Sequence, residues 1–150
     1  QPVLRLPPEH LQAALSAFGA RGTGGDQDAL AAVLPHLHHK DAAVRRAALA
    51  AVRRLAPPGS ELVVVEALAL RLFDADTAVQ VEVAETLCSV AKQRNERIAR
   101  LLCKRLGSND TAVRRSMVKA LGCIAPVGDA RVRKLVRKSL SDGEATVRAE

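Results

Sequence analysis

Apolar positions along this chain follow a pattern that returns every 34 or 35 residues. Each unit is centred on an acidic residue, with leucine four places before it and valine three places after it. These acidic residues are Asp41, Asp76, Asp110 and Glu144. With the acidic residue as position 0, apolar side chains fall at −12, −9, −8 and −4, and again at +3, +7, +11 and +14. Both sets have the three- and four-residue spacing of one helix face, so each unit predicts a pair of helices.

The pattern sets the helices and the domain organisation that we expect. The predicted pairs are 27–38 with 42–55, 61–73 with 77–91, 94–106 with 111–124, and 129–140 with a start at 144. Pro35 should kink or locally open its helix. Residues 1–26 form an N-terminal helix from residue 8 to 18 and a loop. The repeats are 27–59, 60–92, 93–127 and 128–150.

Paired antiparallel helices in tandem predict an all-α fold, a right-handed α-solenoid. The pattern L-x-x-x-[DE]-x-x-V-R-x-x-A-x-x-A-L resembles the HEAT repeat, especially the short HEAT-like version of phycobilin lyases. The resemblance covers residues 27–150. The last unit stops soon after Arg148, where earlier units continue for about ten residues more. We therefore expect the chain to be part of a longer solenoid.

The acidic residue of each unit has two expected roles. At the start of the second helix its carboxylate can cap free N–H groups. The HEAT resemblance further implies a ladder, in which each acidic residue contacts the arginine at position +4 of its own or the neighbouring repeat. The ladder residues are Asp41, Arg45, Asp76, Asp110, Arg114, Glu144 and Arg148. Gln80 occupies position +4 of the second repeat, so this step of the ladder, which we call its rung, lacks the arginine that the other repeats have.

Composition removes several classes of function. Hydrophobic residues make up 48% of the 150 residues and aromatic residues only 1%, with two Phe and no Trp or Tyr. So few rings argue against a stacked cofactor and against the aromatic platforms that bind single-stranded nucleic acid. No apolar run has the length of a membrane span. The odd number of cysteines, three, favours a reducing intracellular compartment.

Candidate catalytic and metal-binding groups are few. His36 and His39 are three residues apart and could share a metal, but no further ligand stands at a suitable spacing, so a polar helix end is the better interpretation. HEAT-repeat deoxyhypusine hydroxylases carry paired His-Glu motifs for iron, whereas this chain has a single reversed Glu9-His10 pair. The cysteines lie far along the sequence from the histidines and are interpreted as small buried side chains. We therefore expect no catalytic site, no metal and no cofactor.

Charge is the most informative remaining feature. Residues 1–91 carry 8 basic and 10 acidic side chains, whereas residues 92–150 carry 15 and 6. Positions −13, −10 and −6 are basic in the third and fourth repeats, with no acidic residues expected among them. These spacings place the three basic residues of each repeat on one face of its first helix. Because neighbouring helices lie about 10 Å apart, the six residues are expected to form one patch. The predicted basic patch is Arg97, Arg100, Lys104, Arg131, Lys134 and Lys138, and the HEAT resemblance implies that it lies on the convex side of the solenoid.

The second repeat is apolar at two of the same positions. Its first helix, LVVVEALALRLF, is apolar nearly all round, which indicates that the N-terminal segment or a partner protein covers it. The predicted apolar patch is Val63, Leu70 and Phe73.

These features favour a non-catalytic scaffold or adaptor that binds protein partners with an acidic surface inside a larger assembly. Two alternatives stay open. The basic patch could bind a nucleic-acid backbone, as in HEAT-like DNA glycosylases, although the lack of Trp and Tyr weakens this interpretation. The resemblance to phycobilin lyases also implies a bilin lyase-like chaperone or enzyme. The sequence does not specify an oligomeric state.

Overall fold

A computed structural model describes residues 6–57, 59–60, 62–91, 95–125 and 127–140, with side chains to residue 138. All regular secondary structure in these ranges is helical, as the repeat pattern predicts. The α-helices are α1 Pro8–Arg21, α2 Gln27–Val33, α3 Ala42–Leu55, α4 Leu62–Leu70, α5 Thr77–Val90, α6 Glu96–Arg105, α7 Thr111–Ile124 and α8 Ala130–Leu140.

The second helix of each described pair begins directly after the acidic residue of its repeat. One carboxylate oxygen accepts a backbone N–H of the first turn, which satisfies a donor that the helix itself leaves free. The donors are Ala43 to Asp41 at 2.8 Å, Val79 to Asp76 at 3.1 Å and Val113 to Asp110 at 3.0 Å. The capping role predicted for these three residues is thus confirmed. The fourth unit's acidic residue, Glu144, lies outside the described residues, as does Arg148.

The first helices of repeats 1 and 2 tighten before they reach the loop. α2 is followed by a 3₁₀ segment at Leu34–His38 and α4 by one at Arg71–Phe73. Pro35 lies in the first of these segments, as expected, but the second contains no proline. The tighter turn therefore does not require proline, and it brings the chain round toward the second helix over a short distance.

The core is aliphatic and follows the repeat positions. Position +3 is fully buried in Val44, Val79 and Val113, and position −8 is fully buried in Val33, Leu68 and Leu102. Each repeat thus packs a stripe from its first helix against a stripe from its second. Burial of such side chains is the main favourable contribution to the free energy of folding.

The chain divides into two compact units, Gln1–Pro57 and Pro58–Glu150. In the first unit, α1 and α2 both pack against α3. In the second unit, α5 packs against α7, α4 packs against α5, and α6 packs against α7. α8 contacts both α6 and α7. Within the second unit, first helices therefore neighbour first helices, and second helices neighbour second helices.

One backbone hydrogen bond recurs in every described pair of helices. A residue just before the first helix donates its N–H to the carbonyl of the last residue of the second helix. The pairs are Gly25 to Leu55 at 2.8 Å, Ser60 to Val90 at 3.1 Å and Asn95 to Ile124 at 3.1 Å. This contact closes each repeat at the end opposite its interhelix loop.

Candidate interaction surface

The arginines at position +4 hold the loop between the two helices of their repeat. The Arg45 guanidinium donates to the carbonyls of His39 at 2.8 Å and Lys40 at 3.0 Å. Arg114 donates in the same way to Ser108 at 2.9 Å and Asn109 at 3.1 Å. Both arginines thus satisfy carbonyls where the chain leaves the first helix. The ion pairing with acidic residues that the HEAT resemblance implies stays a prediction.

Gln80 preserves the second rung with a different set of groups. Its side-chain amide donates to the Asp74 carbonyl at 2.5 Å, the same loop position that Arg45 and Arg114 bind. Its amide oxygen accepts a hydrogen bond from the Arg105 guanidinium at 2.7 Å. The cation missing at position +4 is therefore replaced by one from α6 of the next repeat. Arg105 also lies over the Phe73 ring, 5.4 Å from its centroid.

A second set of loop residues was not predicted from the sequence. The side chain two residues before each capping aspartate accepts the backbone N–H of that aspartate. The acceptors are His39 for Asp41 at 3.1 Å, Asp74 for Asp76 at 2.9 Å and Ser108 for Asp110 at 3.2 Å. The signal was present in the sequence as H-x-D, D-x-D and S-x-D, but the residue type varies and hides the shared position.

The interpretation of the cysteines as small buried side chains is wrong for Cys123, which is exposed, whereas Cys88 and Cys103 are half-buried. The pKa of the Cys88 thiol is raised to about 12, mainly by burial and to a smaller extent by a hydrogen bond with the Cys123 thiol. Burial also raises the pKa of Cys103. An activated cysteine needs the opposite shift, because the thiolate is the nucleophile. Among the described residues, no three His, Cys, Asp or Glu side chains cluster as metal ligands would.

The apolar patch lies on α4 and the turn that follows it. Val63 is 67% exposed, Leu70 59% and Phe73 50%, and Leu62, which was not predicted, extends the patch at 65%. The opposite side of α4 is buried in the core. Large side chains this exposed on one helix are typical of an interaction site.

All six residues of the basic patch have exposed side chains, three on α6 and three on α8. Two of them have carboxylate partners, which corrects the expectation that no acidic residues lie among them. Arg97 pairs with Glu66 of α4, and Arg100 pairs with Glu96 one turn earlier at 3.1 Å. Both pairs are largely exposed, so each contributes little to stability. The first pair nevertheless connects the basic patch directly to the helix that carries the apolar patch.

The Arg97–Glu66 pair also shows the register between the neighbouring first helices α4 and α6. It joins position −13 of one repeat to position −10 of the repeat before it. If α6 and α8 pack with the same offset, Arg131 of α8 is expected beside Arg100 of α6. Opposite charges thus meet between α4 and α6, whereas the same offset predicts like charges between α6 and α8. Like charges on exposed neighbouring helices attract an anionic partner.

The architecture defines a class of protein, the α-solenoid built from tandem helix pairs. The family model for HEAT repeats matches residues 64–150, more than half of the chain. The chain therefore belongs to the HEAT-repeat family. No curated protein sequence matches it significantly.

A solved structure supports the same fold. The crystal structure of an engineered protein, a target of the Northeast Structural Genomics Consortium, is similar to this chain with a TM-score of 0.70 at 20% identity. The match covers 97% of this chain and 72% of that one. Within the described residues, no helix is both long and apolar enough to cross a membrane.

Proposed function

We propose that this HEAT-repeat chain is a non-catalytic scaffold segment that binds a protein partner with the face formed by its apolar and basic patches. The observation that carries the proposal is the position of the two patches on neighbouring first helices, joined by the Arg97–Glu66 pair. The partner's contact surface combines apolar side chains with acidic ones. The free cysteines support a reducing intracellular compartment for this assembly.

The two patches contribute differently to binding. Fully burying one large apolar side chain is worth about 1.5–3 kcal/mol, so the α4 patch supplies most of the affinity. The cations of α6 and α8 orient the partner and speed its association, because their field extends about 10 Å at 0.1 M salt. Binding should therefore weaken as salt rises, without disappearing.

The test compares two charge-reversed proteins with equal net charge. The first carries Arg100→Glu, Lys104→Glu and Lys134→Glu in the basic patch. The control carries Lys40→Glu, Arg54→Glu and Lys119→Glu, which are exposed residues outside both patches.

Each protein is added to an extract of the cells in which the natural protein occurs and is cross-linked there. The cross-linked partners are then quantified by mass spectrometry. We expect partners whose cross-links map to α4, α6 or α8 to be lost with the first protein and retained with the control. Equal retention by both proteins would contradict the role of the basic patch. Replacing Val63, Leu70 and Phe73 by serine tests the apolar patch in the same assay.

Binding to a nucleic-acid backbone is the second candidate, and the charge of α8 favours it. Five of the eleven residues of α8 are basic: Arg131, Arg133, Lys134, Arg137 and Lys138. A duplex DNA titration at several salt concentrations decides between the two functions. A slope of log K against log salt that indicates several released counterions, with no effect of the apolar substitutions, would favour nucleic acid over protein.

A further inference from the structure

Two of the three cysteines meet between neighbouring second helices. Cys88 stands twelve residues after the capping aspartate of the second repeat, and Cys123 stands thirteen residues after that of the third. Because α5 and α7 both begin at their caps and pack side by side, the two cysteines lie at the same level, in the last turn of each helix. There the Cys88 thiol makes a hydrogen bond with the Cys123 thiol. The two sulfur atoms are therefore in contact although they belong to different repeats.

The two thiols differ in their access to solvent. Cys88 is half-buried, whereas Cys123 is exposed. The residue before Cys123 is Gly122, and outside its own turn of α7 none of the described residues comes within 4 Å of the place where a Cβ would be. A dissolved reagent can therefore reach the Cys123 sulfur. Through Cys123 it can then act on Cys88, which is less accessible.

The surroundings of Cys88 set the order in which the two thiols react. Burial is the largest cause that raises the pKa of the Cys88 thiol, followed by its hydrogen bond with Cys123. Lys119 of α7 opposes this shift of the pKa, and Glu85 of α5 adds to it. Because the thiolate is the nucleophile, the half-buried Cys88 is not the first to react. Once Cys123 has been converted to a disulfide, its thiol no longer contributes to the raised pKa of Cys88.

We propose that Cys88 and Cys123 form a reversible disulfide bond, which cross-links α5 to α7 when the protein meets a small-molecule disulfide such as glutathione disulfide. In the first step the Cys123 thiolate attacks one sulfur of glutathione disulfide, and one glutathione leaves as its thiolate. In the second step the Cys88 sulfur attacks the Cys123 sulfur of the mixed disulfide, and the second glutathione leaves. The two leaving thiolates take up the two protons that the cysteines release. Two protein thiols are thus oxidised to one disulfide, and glutathione disulfide is reduced to two molecules of glutathione.

The cross-link acts on the interface between the second and third repeats. In a solenoid each repeat contacts only its neighbours, so a bond from α5 to α7 restricts changes in the offset between these two repeats. Their first helices, α4 and α6, carry the apolar patch and half of the basic patch. In a reducing compartment the bond forms only when glutathione disulfide rises, as in other intracellular disulfides that respond to redox state. The proposal does not depend on the function proposed for the patches.

A redox titration of the full chain tests the bond. Reduced protein is equilibrated at increasing ratios of glutathione disulfide to glutathione, quenched with acid and analysed by mass spectrometry before and after digestion. We expect a product that has lost two hydrogen atoms and in which the peptides of Cys88 and Cys123 are linked. Dithiothreitol should reverse the reaction. The oxidised protein should melt about 5–10 °C higher than the reduced protein, because the cross-link restricts the unfolded chain.

Single substitutions separate the two steps. Cys88→Ser should stop the reaction at the mixed disulfide, with one glutathione on Cys123. Cys123→Ser should slow the attachment of glutathione at least tenfold, because Cys88 is then the only thiol of the pair. Cys103→Ser is the matched control, since Cys103 is also half-buried but lies on α6, and it should leave the disulfide unchanged. Circular dichroism verifies the folding of each variant, and Cys88→Ala replaces Cys88→Ser if serine is not tolerated.

Three results would overturn the proposal. The first is complete conversion of Cys123 to the mixed disulfide without any linked product, which would show that the two sulfur atoms do not reach bonding distance. The second is a disulfide that includes Cys103 or joins two chains. The third is an intramolecular disulfide that lowers the melting temperature, since the bond would then form at the expense of the packing between α5 and α7.

Discussion

Replacing Gln80 by leucine tests the substituted rung of the second repeat. Gln80 is 6% exposed and makes two hydrogen bonds, one to the Asp74 carbonyl and one from Arg105. Leucine has a similar volume, so the change removes the polar contacts without leaving a large cavity. A neutral hydrogen bond contributes about 1 kcal/mol and one to a charged group about 1.5–3 kcal/mol, and leucine regains part of this by apolar burial. The expected loss is about 2–3 kcal/mol of unfolding free energy.

Urea unfolding followed by circular dichroism measures this loss, and the melting temperature should fall by about 4–12 °C. A double-mutant cycle with Arg105→Met isolates the second contact, for which we expect a coupling of at least about 1 kcal/mol.

Gln80→Arg distinguishes two lines of reasoning. The repeat pattern alone predicts that arginine at position +4 stabilises the protein. The structure predicts a loss, because the new guanidinium would meet that of Arg105 in a buried place. A stabilised Gln80→Arg protein, or a Gln80→Leu protein within about 0.5 kcal/mol of the parent, would refute this account of the rung.

Three further experiments test the arginine at position +4, the helix cap of the third repeat and the reactivity of the cysteines. Arg114→Ala should cost about 1–3 kcal/mol in urea melts because it removes the contacts with the loop carbonyls, whereas the exposed Arg115→Ala should cost about 0.5 kcal/mol or less. Asp110→Ala should cost about 1 kcal/mol through loss of the helix cap, and an unchanged unfolding midpoint would contradict that role. Iodoacetamide at pH 8 should label the exposed Cys123 and leave Cys88 unmodified. A pKa of about 12 leaves only about one Cys88 thiol in 10⁴ ionised at that pH, and the thiolate is the reactive form. Mass spectrometry of the intact and digested protein measures the labelling of both cysteines.

Because the pKa of Cys88 is raised in the folded protein, the free energy of unfolding should fall at high pH. The folded protein holds this thiol protonated, with a pKa of about 12 against 9.0 for the unperturbed group. Its contribution is therefore fully present below about pH 9 and is lost as the pH rises from 9 toward 12. The Cys88→Ser protein should show a smaller loss of stability over this range.

The local features of this chain were predictable from its sequence. The 34-residue period, the helix pairs and the aliphatic core follow from apolar spacing, because one face of an α-helix repeats every three to four residues wherever the helix packs. The caps at Asp41, Asp76 and Asp110 follow too, since capping requires only that a short acidic side chain stand directly before its own helix. The exposed apolar side of α4 was also detectable, because two of its residues stand where other repeats carry charges.

Features that join distant residues needed the tertiary structure. Glu66 and Arg97 lie 31 residues apart, and only the register between α4 and α6 shows that they meet. In the second repeat Gln80 stands at position +4 and Arg105 of α6 supplies the cation. An alignment of the repeats does not show this replacement, because Arg105 belongs to another helix. The packing of α1 against α3 was also not predicted, because Pro7 stands before α1 where the second helices have a capping aspartate, and His10 stands where they have valine. Periodicity determines which face of a helix is buried, but the offset between two packed helices depends on how their side chains interdigitate, and that is decided only when the helices pack.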